Sequence, residues 1–550
     1  MASTPRSSGP LPARLTLLVV LAAACLQCSA AVAAGSDQAS SLPRRALRAA
    51  PAQSNVTANS REWADKLNST YLSNAELGWW MLEYVQRCAP LARRFAIGSS
   101  AVDRQPLWVL EISDNPGLQE AEPNFKYVAN MHGDETSGRA LLPLLAEWLC
   151  ENYQTDERAT RMVRDMHLFI MPTMNPDGFT RSQRYNAQRI DLNRNFSDPQ
   201  FDCQPNLENC TAASLMRKYN SSAPEVQAIM RWSMPLNARR LLRRRSATSS
   251  AVSVPQPPRN VRQFHFTAAA NLHEGAVVAN YPFDGSPITG RGAAAAAAAA
   301  SQGDMEAAAA AIVAARQQQP IGVAAAVEQL RVARGSSSAP RTTVRPARPD
   351  VASDTSSSSV SSSSARPAGY HASPDDATFR FLASTYATKH TWMSNTTRNW
   401  EFPDGGITNG AGWYDVYGGM QDWDYLAGSC MELTLELNEN KYPPASELLT
   451  IWGENKEALI ALPLTAALGG IRGNVTSGSD GLPIPATITV DGSTWRTFAD
   501  SYLGFFARPV KPGTYTVKAQ YPGFKTASVT VTVPEDLTGA VANLVMSPVK

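Results

Sequence analysis

Short apolar runs recur along this chain and alternate with stretches of helical periodicity. The apolar runs predict strands at residues 108–112, 127–131, 168–171, 264–272 and 431–437, and the stretches between them predict helices, for example at 139–150 and 225–232. Ser73 and Glu76 form a capping-box pattern, and we expect ordered structure to begin near them with a helix. Strands that alternate with helices predict an α/β sheet fold.

The pattern changes after about residue 469. Residues 486–490, 514–518 and 527–533 alternate apolar and polar positions, and Gly and Pro occupy the turns between them. Such alternation is typical of strands with one buried face. Residues 469–550 therefore predict a small all-β sandwich, and about 80 residues are enough for a domain.

Three segments lack the apolar residues that a core requires. Residues 34–58 are rich in Ala, Ser, Pro and Arg, which predicts a disordered leader. Residues 237–262 carry Arg, Ser and Pro, and residues 285–371 carry an Ala run, a Gln cluster and Ser runs, so both are predicted to be surface insertions. The basic run from Arg239 to Arg245 is interpreted as a solvated loop. The alternative is a processing site for basic-specific proteases, which would yield a two-chain protein.

The N-terminus has the order of a secretory signal peptide. Arg6 and Arg14 precede an apolar core at residues 15–25, and small residues at 31–33 provide a cleavage site, so residues 1–33 are predicted to be removed. The core is too short for a permanent membrane span, and we expect no transmembrane anchor. The net charge of +2 argues against a nucleic-acid partner. We expect a protein that is secreted or lies in the secretory-pathway lumen.

Five cysteines remain after the predicted cleavage, which leaves one thiol free. Cys203 and Cys210 are close enough in sequence to close a short loop, and we favour that disulfide; the other pairings stay open. Glycosylation sequons fit a secreted surface. They occur at Asn55, Asn68, Asn209, Asn220, Asn395 and Asn474.

Three residues have the chemistry of a catalytic zinc site. His132 and Glu135 follow one apolar run, and His273 ends a later one. Two imidazoles and a carboxylate leave the fourth tetrahedral position open for water, which is typical of catalytic rather than structural zinc. His-x-x-Glu alone is common, and its ordinary alternative is a strand-to-helix turn.

Further sequence blocks accompany these residues in a fixed order. They read HGDE at 132–135, PTMNPDGF at 172–179, DLNRNF at 191–196, NLH at 271–273, YPFD at 281–284, GITNGA at 406–411, GGMQDW at 418–423 and TLEL at 434–437. In this order the chain resembles zinc metallocarboxypeptidases, and in particular the regulatory branch of carboxypeptidases N, E, M and D. The resemblance covers about residues 60–550 apart from the two insertions.

The resemblance implies an architecture and a set of catalytic roles. Residues 59–468 would form a catalytic domain with a mixed sheet and helices on both faces, and residues 469–550 a transthyretin-like domain. His132, Glu135 and His273 would hold one Zn²⁺, while Glu436 would act as the proton-transfer base. Arg184 would stabilise the developing oxyanion. Every second side chain of a strand points to the same face, so this alternation alone does not distinguish Glu436 from Glu432.

The resemblance also implies how a peptide end would be recognised. Arg194 would clamp the terminal carboxylate with Asn193 and the hydroxyl of Tyr414, because a planar guanidinium fork suits a carboxylate. Asp284, helped by Gln421, would receive a C-terminal Lys or Arg side chain. Without the resemblance, each of these residues would be assigned to a turn or to the surface.

Two residues depart from the branch. Asp134 stands where Asn is usual and is expected to raise ligand basicity from a neighbouring position. Glu274 replaces the usual Gly after the third ligand and is expected to narrow the cleft or restrict the backbone. The two insertions border the site region and are candidates for covering its entrance. Asn195 matches a sequon but falls in a site block, so we expect it to remain unglycosylated.

The sequence thus predicts a secreted, monomeric zinc carboxypeptidase that removes C-terminal Lys or Arg from peptides or proteins. The alternative is a non-catalytic relative that keeps the fold and the zinc as a binding protein. Glu436, Arg184, Arg194 and Tyr414 are all present, which favours the enzyme.

Overall fold

The structure is a computed structural model, and it describes residues 58–198, 201, 203, 210, 214–234, 265–287 and 369–549. The signal peptide, nearly all of the leader, the whole first insertion with its basic run from Arg239 to Arg245, and most of the second insertion lie outside these residues. So do the sequons at Asn55 and Asn209.

A mixed eight-stranded sheet forms the centre of the larger part of the chain. Its strands are β1 (Ala92–Ser99), β2 (Pro106–Ile112), β3 (Asn124–Ala129), β4 (His167–Met171), β5 (Phe266–His273), β6 (Ala276–Tyr281), β7 (Ile407–Asn409) and β8 (Met431–Asn438). Their order is β1-β2-β4-β3-β5-β8-β6-β7. The four central strands β4, β3, β5 and β8 are parallel, so their carboxyl ends meet at one edge of the sheet. In open α/β sheets, ligand sites form at that edge.

Helices cover both faces of this sheet. They are α1 (Ala58–Ser69), α2 (Asn74–Arg87), α3 (Ser137–Asn152), α4 (Glu157–Arg164), α5 (Pro176–Thr180), α6 (Pro224–Ser233), α7 (Asp376–Lys389), α8 (Gly410–Trp413), α9 (Met420–Gly428) and α10 (Leu448–Pro463). Strand β3 shows why two cores form: Phe125 and Tyr127 belong to one cluster and Val128 to the other, because successive side chains alternate between faces. None of the described helices has the length and apolar character that crossing a bilayer requires.

The predicted α/β class is confirmed, and each of the five predicted strands overlaps an observed one. Both hydrogen bonds of the capping box at the start of α2 are present: the Ser73 side chain accepts from the backbone N–H of Glu76, and the Glu76 side chain accepts from that of Ser73. The expectation that order begins near Ser73 is wrong, because α1 precedes it. That helix buries Trp63 and Leu67, one turn apart, against the larger core.

Four of the five cysteines that the structure describes form two disulfides. The expected pair Cys203–Cys210 is present, and Cys88–Cys150 ties the end of α2 to α3. Cys430 is free and buried, which agrees with the expected single thiol.

The C-terminal part is a β-sandwich. Its strands are β9 (Ile471–Ser477), β10 (Thr487–Val490), β11 (Thr497–Phe498), β12 (Phe505–Arg508), β13 (Gly513–Gln520), β14 (Ala527–Val533), β15 (Ala540–Val541) and β16 (Leu544–Met546). One sheet has the order β11-β10-β13-β14, and in the other β9 pairs with β12, β15 and β16. Ile471, Val475 and Phe506 are among the residues of the core between them.

The sandwich docks on the larger part through a buried polar contact. Arg508 donates to Asp375 at 2.6 Å, and Tyr425 donates to the same carboxylate oxygen at 2.7 Å. The indole of Trp495 donates to the carbonyl of Tyr425 at 3.2 Å and joins the larger core. Arg508 and Asp375 are both buried, so removing either one would leave the other as an uncompensated buried charge.

We expect Arg508→Met to destabilise the folded protein by about 3 kcal/mol, because the buried Asp375 carboxylate loses its cationic partner. Differential scanning calorimetry would show this as a lower Tm. The matched control is Lys518→Met, which removes an exposed ion pair with Asp491 in the same sandwich and should barely change the Tm. Equal shifts for the two variants would contradict the assignment of Arg508 as a docking residue.

Candidate active site

The three candidate zinc ligands converge at the carboxyl edge of the parallel strands. Nδ1 of His132 lies 2.8 Å from Oε1 of Glu135, Nδ1 of His273 lies 2.8 Å from Oε2 of Glu135, and the two Nδ1 atoms are 3.2 Å apart. Donors at about 2.05 Å from a tetrahedral zinc lie about 3.3 Å from each other. The spacing of these buried atoms therefore approaches that of three tetrahedral corners.

A tight loop after β3 fixes the first two ligands. Asn130 adopts a left-handed conformation (φ 55°), and its side-chain amide donates to the carbonyls of His132, Gly133 and Glu135 at 2.9, 3.2 and 2.9 Å. A Cβ on Gly133 would lie 2.1 Å from the carbonyl carbon of Gly178, so only glycine fits there. The loop has little freedom to move its ligands.

The protonation of the ligands suits a zinc ion. Burial raises the pKa of Glu135, but the two imidazoles outweigh it and hold that pKa well below its usual value. Burial lowers the pKa of His273, so its ring is neutral and has a lone pair at neutral pH. Nε2 of His132 lies 3.2 Å from Asp191, which orients the ring and directs Nδ1 towards the other donors.

The sheet register separates the two candidate bases. Glu436 pairs with His273 across β5 and β8, whereas Glu432 pairs with Ala269, four residues earlier on the same face of the sheet. Oε1 of Glu432 accepts from Asn271 at 2.7 Å, so this carboxylate belongs to the core. Burial and the neighbouring Glu135 raise the pKa of Glu436, and its Oε2 has no hydrogen-bond partner within the described residues.

Arg184 lies directly beside the ligand cluster. Its Nη1 is 3.5 Å from Oε1 of Glu135, and its Nε and Nη2 bind Asp191 at 3.0 and 2.9 Å. Asp191 therefore orients both His132 and Arg184. The sequence blocks contained Asp191, but nothing in its spacing indicated this double contact.

Asn193, Arg194 and Tyr414 lie next to the same site. Oδ1 of Asn193 accepts from the backbone N–H of Met420 at 3.0 Å, which joins it to the start of α9. Tyr414 is 40% exposed, and burial of its hydroxyl and the charge of Glu436 raise its pKa, while Arg194 and Arg184 act in the opposite direction. The hydroxyl of Tyr414 is thus within electrostatic reach of the proposed base and both arginines.

Asp284 is buried with two amide donors. Oδ1 accepts from Gln421 and from Asn280, each at 2.9 Å. A Cβ on Gly410 would lie 2.0 Å from that oxygen, so this glycine makes the space for the carboxylate. Burial raises the pKa of Asp284 to about 6. The ends of the second insertion lie close by, since His371 bonds the carbonyl of Gly285 at 2.6 Å.

Three further charged groups border the ligands. Nζ of Lys441 lies 2.9 Å from Oε1 of Glu135, a contact that the sequence did not indicate. Asp134 was expected to raise the basicity of a ligand, but the carboxylate that contacts His132 is that of Asp191. Within the described residues, Oδ1 of Asp134 has no hydrogen-bond partner. Glu274 is buried and bonds the start of α3, so it does not narrow the cleft as expected.

Comparison with known proteins identifies the catalytic part. The zinc carboxypeptidase family profile matches residues 79–458. The chain belongs to the zinc carboxypeptidase family. It is therefore a metallocarboxypeptidase. The carboxypeptidase regulatory-like domain profile matches residues 470–547, which form the sandwich.

Relatives of this carboxypeptidase cover both parts of the chain. It is 35% identical to carboxypeptidase SOL1 of Arabidopsis thaliana over 476 residues, which cover 86% of this chain and 72% of that protein. It is 32% identical to the carboxypeptidase N catalytic chain of Homo sapiens, with 81% and 79% covered. Carboxypeptidase D of Homo sapiens is 31% identical, and the match spans 81% of this chain but 25% of that larger protein.

Among solved structures, thrombin activatable fibrinolysis inhibitor is similar with a TM-score of 0.40 and 18% sequence identity. The match covers 73% of this chain and 75% of that one.

We expect Glu436→Gln to lower kcat on a C-terminal Arg peptide at least about 100-fold, because proton transfer by a positioned carboxylate contributes that much or more. Glu432→Gln is the matched control, since the amide keeps an oxygen for Asn271 and lies away from the ligands. It should retain most of the wild-type kcat. If Glu432→Gln lowered kcat more than Glu436→Gln did, and both variants kept a wild-type-like Tm, the base would be Glu432.

Proposed function

We propose that this enzyme is a secreted carboxypeptidase that releases C-terminal Lys or Arg from peptides or proteins. The buried Asp284 carboxylate supports this specificity most directly. Among the described residues no Lys or Arg forms an ion pair with it. A buried carboxylate that holds only amide donors favours a substrate that brings its own cation and disfavours an apolar side chain.

The terminal carboxylate of the substrate would be held by Arg194, Asn193 and Tyr414. A guanidinium binds a carboxylate through two parallel N–H donors, and the amide and hydroxyl add further donors. An internal peptide bond has no such carboxylate. This set of donors therefore supports cleavage at the chain end only.

His132, Glu135 and His273 would hold one zinc ion in the catalytic domain. Zinc at such a site supplies Lewis acidity and lowers the pKa of a water molecule at its open position. Glu436 would receive the proton of the attacking water and pass it to the leaving amine. Arg184 would stabilise the negative charge on the carbonyl oxygen, because its guanidinium is already fixed by Asp191.

Secretion and a monomeric state are part of the proposal. The signal-peptide pattern at residues 1–33 supports secretion. Appearance of the protein in the culture medium with its N-terminus near residue 34, and a monomer by light scattering, would support both. Zinc bound at one equivalent without turnover of any C-terminal Arg or Lys peptide would instead favour the non-catalytic binding protein.

We expect wild-type enzyme to hydrolyse hippuryl-Arg much faster than hippuryl-Phe, and Asp284→Asn to reduce the Arg-to-Phe ratio of kcat/KM about 100-fold. Losing one partner of a buried charge pair costs about 2–5 kcal/mol, and 2.8 kcal/mol corresponds to about 100-fold. A chelator should abolish activity and zinc should restore it. Asp404→Asn, at an exposed ion pair with Arg380, is the control. An unchanged ratio in Asp284→Asn would rule out the proposed specificity.

We also expect the Arg-to-Phe ratio of kcat/KM to fall as the pH drops through about 6. Asp284 binds a cation only when ionised, and burial raises its pKa to about 6, so the cationic preference is present above that pH and lost below it. The charged groups nearby are Asp422 and Arg194. The Asp422 carboxylate accepts the backbone N–H of Asp284 at 3.0 Å, and its own pKa is raised. Groups that act on both substrates change both kcat/KM values alike, so their titration does not alter the ratio. A ratio that stays constant from pH 5 to pH 8 would contradict this role.

A further inference from the structure

The N-terminus of α3 lacks the usual cap from its own sequence. Thr136 is the N-cap residue, but its side chain makes no capping hydrogen bond. The first N–H groups of a helix have no partner inside the helix, so a buried helix start needs acceptors from elsewhere. Helix α3 begins at Ser137, two residues after Glu135, and its start is buried.

Glu274, which follows the end of β5, supplies acceptors to the start of α3. One carboxylate oxygen accepts the backbone N–H of Thr136 at 2.5 Å, and the other accepts the hydroxyl of Ser137. The side chain is 2% exposed.

The positions of these residues give the contact its significance. Glu274 directly follows His273, and Thr136 directly follows Glu135. The contact therefore joins the strand that carries one candidate ligand to the helix that follows another. Glu135 and His273 are themselves only 2.8 Å apart through Oε2 and Nδ1.

We propose that Glu274 is a positioning residue for the zinc site, which sets zinc affinity by clamping the segments of Glu135 and His273 at ligand spacing. This inference rests on the proposed zinc ligands. The clamp is formed by Glu274 with Thr136 and Ser137. Fixing ligands before the metal arrives reduces the ordering cost of binding, and groups that orient ligands typically change metal affinity 10–100-fold.

Two variants separate the clamp from the mere charge of Glu274. Glu274→Gln keeps the size of the side chain but turns one acceptor into a donor that faces an N–H or O–H group. Ser137→Ala removes one bond of the clamp and keeps the charge. Glu76→Gln is the matched control, because Glu76 caps α2 by accepting from the N–H and hydroxyl of Ser73 at 2.9 and 2.8 Å, in its own helix.

The experiment measures the zinc dissociation constant of the full-length apoprotein by competition with a chromophoric chelator. A thermal scan of each apoprotein accompanies it. We expect the Kd to rise about 10-fold or more in Glu274→Gln and by a smaller factor in Ser137→Ala. Glu76→Gln should keep the wild-type Kd, even if its Tm falls.

Several outcomes would overturn the proposal. A wild-type Kd in Glu274→Gln, together with a lower Tm, would show a cap with no role in zinc affinity. A weaker Kd in Glu274→Gln with an unchanged one in Ser137→Ala would assign the effect to charge alone. An apoprotein that binds no zinc in the wild type would overturn the proposed function itself, and the clamp with it.

Discussion

The pairing of β5 with β8 is the constraint on which the active site depends. Both strands are parallel and central, and their register places His273 directly beside Glu436. A slip of one residue would turn the side chain of His273 to the opposite face of the sheet, because the side-chain period of a strand is two. The loop after β3 then has to bring Glu135 to within 2.8 Å of His273, and it does so from the neighbouring strand on the other side.

A buried polar cluster beneath the site ties this register to the surrounding helices. Lys126 of β3 donates to Asp424 of α9 and to Ser233 of α6, each at 2.6 Å. Glu432 of β8 lies 3.9 Å from the same ammonium and accepts from Asn271 of β5. Burial opposes the charge on Lys126, but the two carboxylates outweigh it and raise its pKa. A displaced strand would leave a buried charge without its partner, which is costly, so the cluster disfavours alternative registers.

Much of the fold could be predicted from the pattern of apolar residues, because the five predicted strands are rich in apolar side chains and almost entirely buried. Strand β6 carries the same signal and was nevertheless missed, whereas three other missed elements lack it. Strand β1 contains Arg93 and Arg94, whose guanidiniums lie over the rings of Phe95 and Trp108, so charged residues interrupt an otherwise ordinary strand. Strand β7 has three residues, too few for any period. Helix α1 begins in a segment whose composition indicated disorder.

The candidate site was predictable in its residues but not in its connections. Sequence blocks fix which side chains carry donors, whereas hydrogen bonds between distant segments depend on the fold. The orientation of both His132 and Arg184 by Asp191 is one example. The choice between Glu436 and Glu432 is another, because alternation within β8 is the same for both and only pairing with β5 distinguishes them.

The electrostatics of the site explain why a divalent cation suits it. Burial is the main cause of the raised pKa of Glu436, and Glu135 and Glu274 add to it through like-charge repulsion. Lys441 and Arg184 offset only part of that repulsion. A dication among the donors would favour the ionised form of each carboxylate around it, because a bound ion is often the largest local charge. Burial raises the pKa of Glu274 to about 8, so such a cation would also favour the ionised form of this carboxylate, which caps α3. The substitution of Glu for Gly after His273 is therefore compatible with zinc binding in this fold.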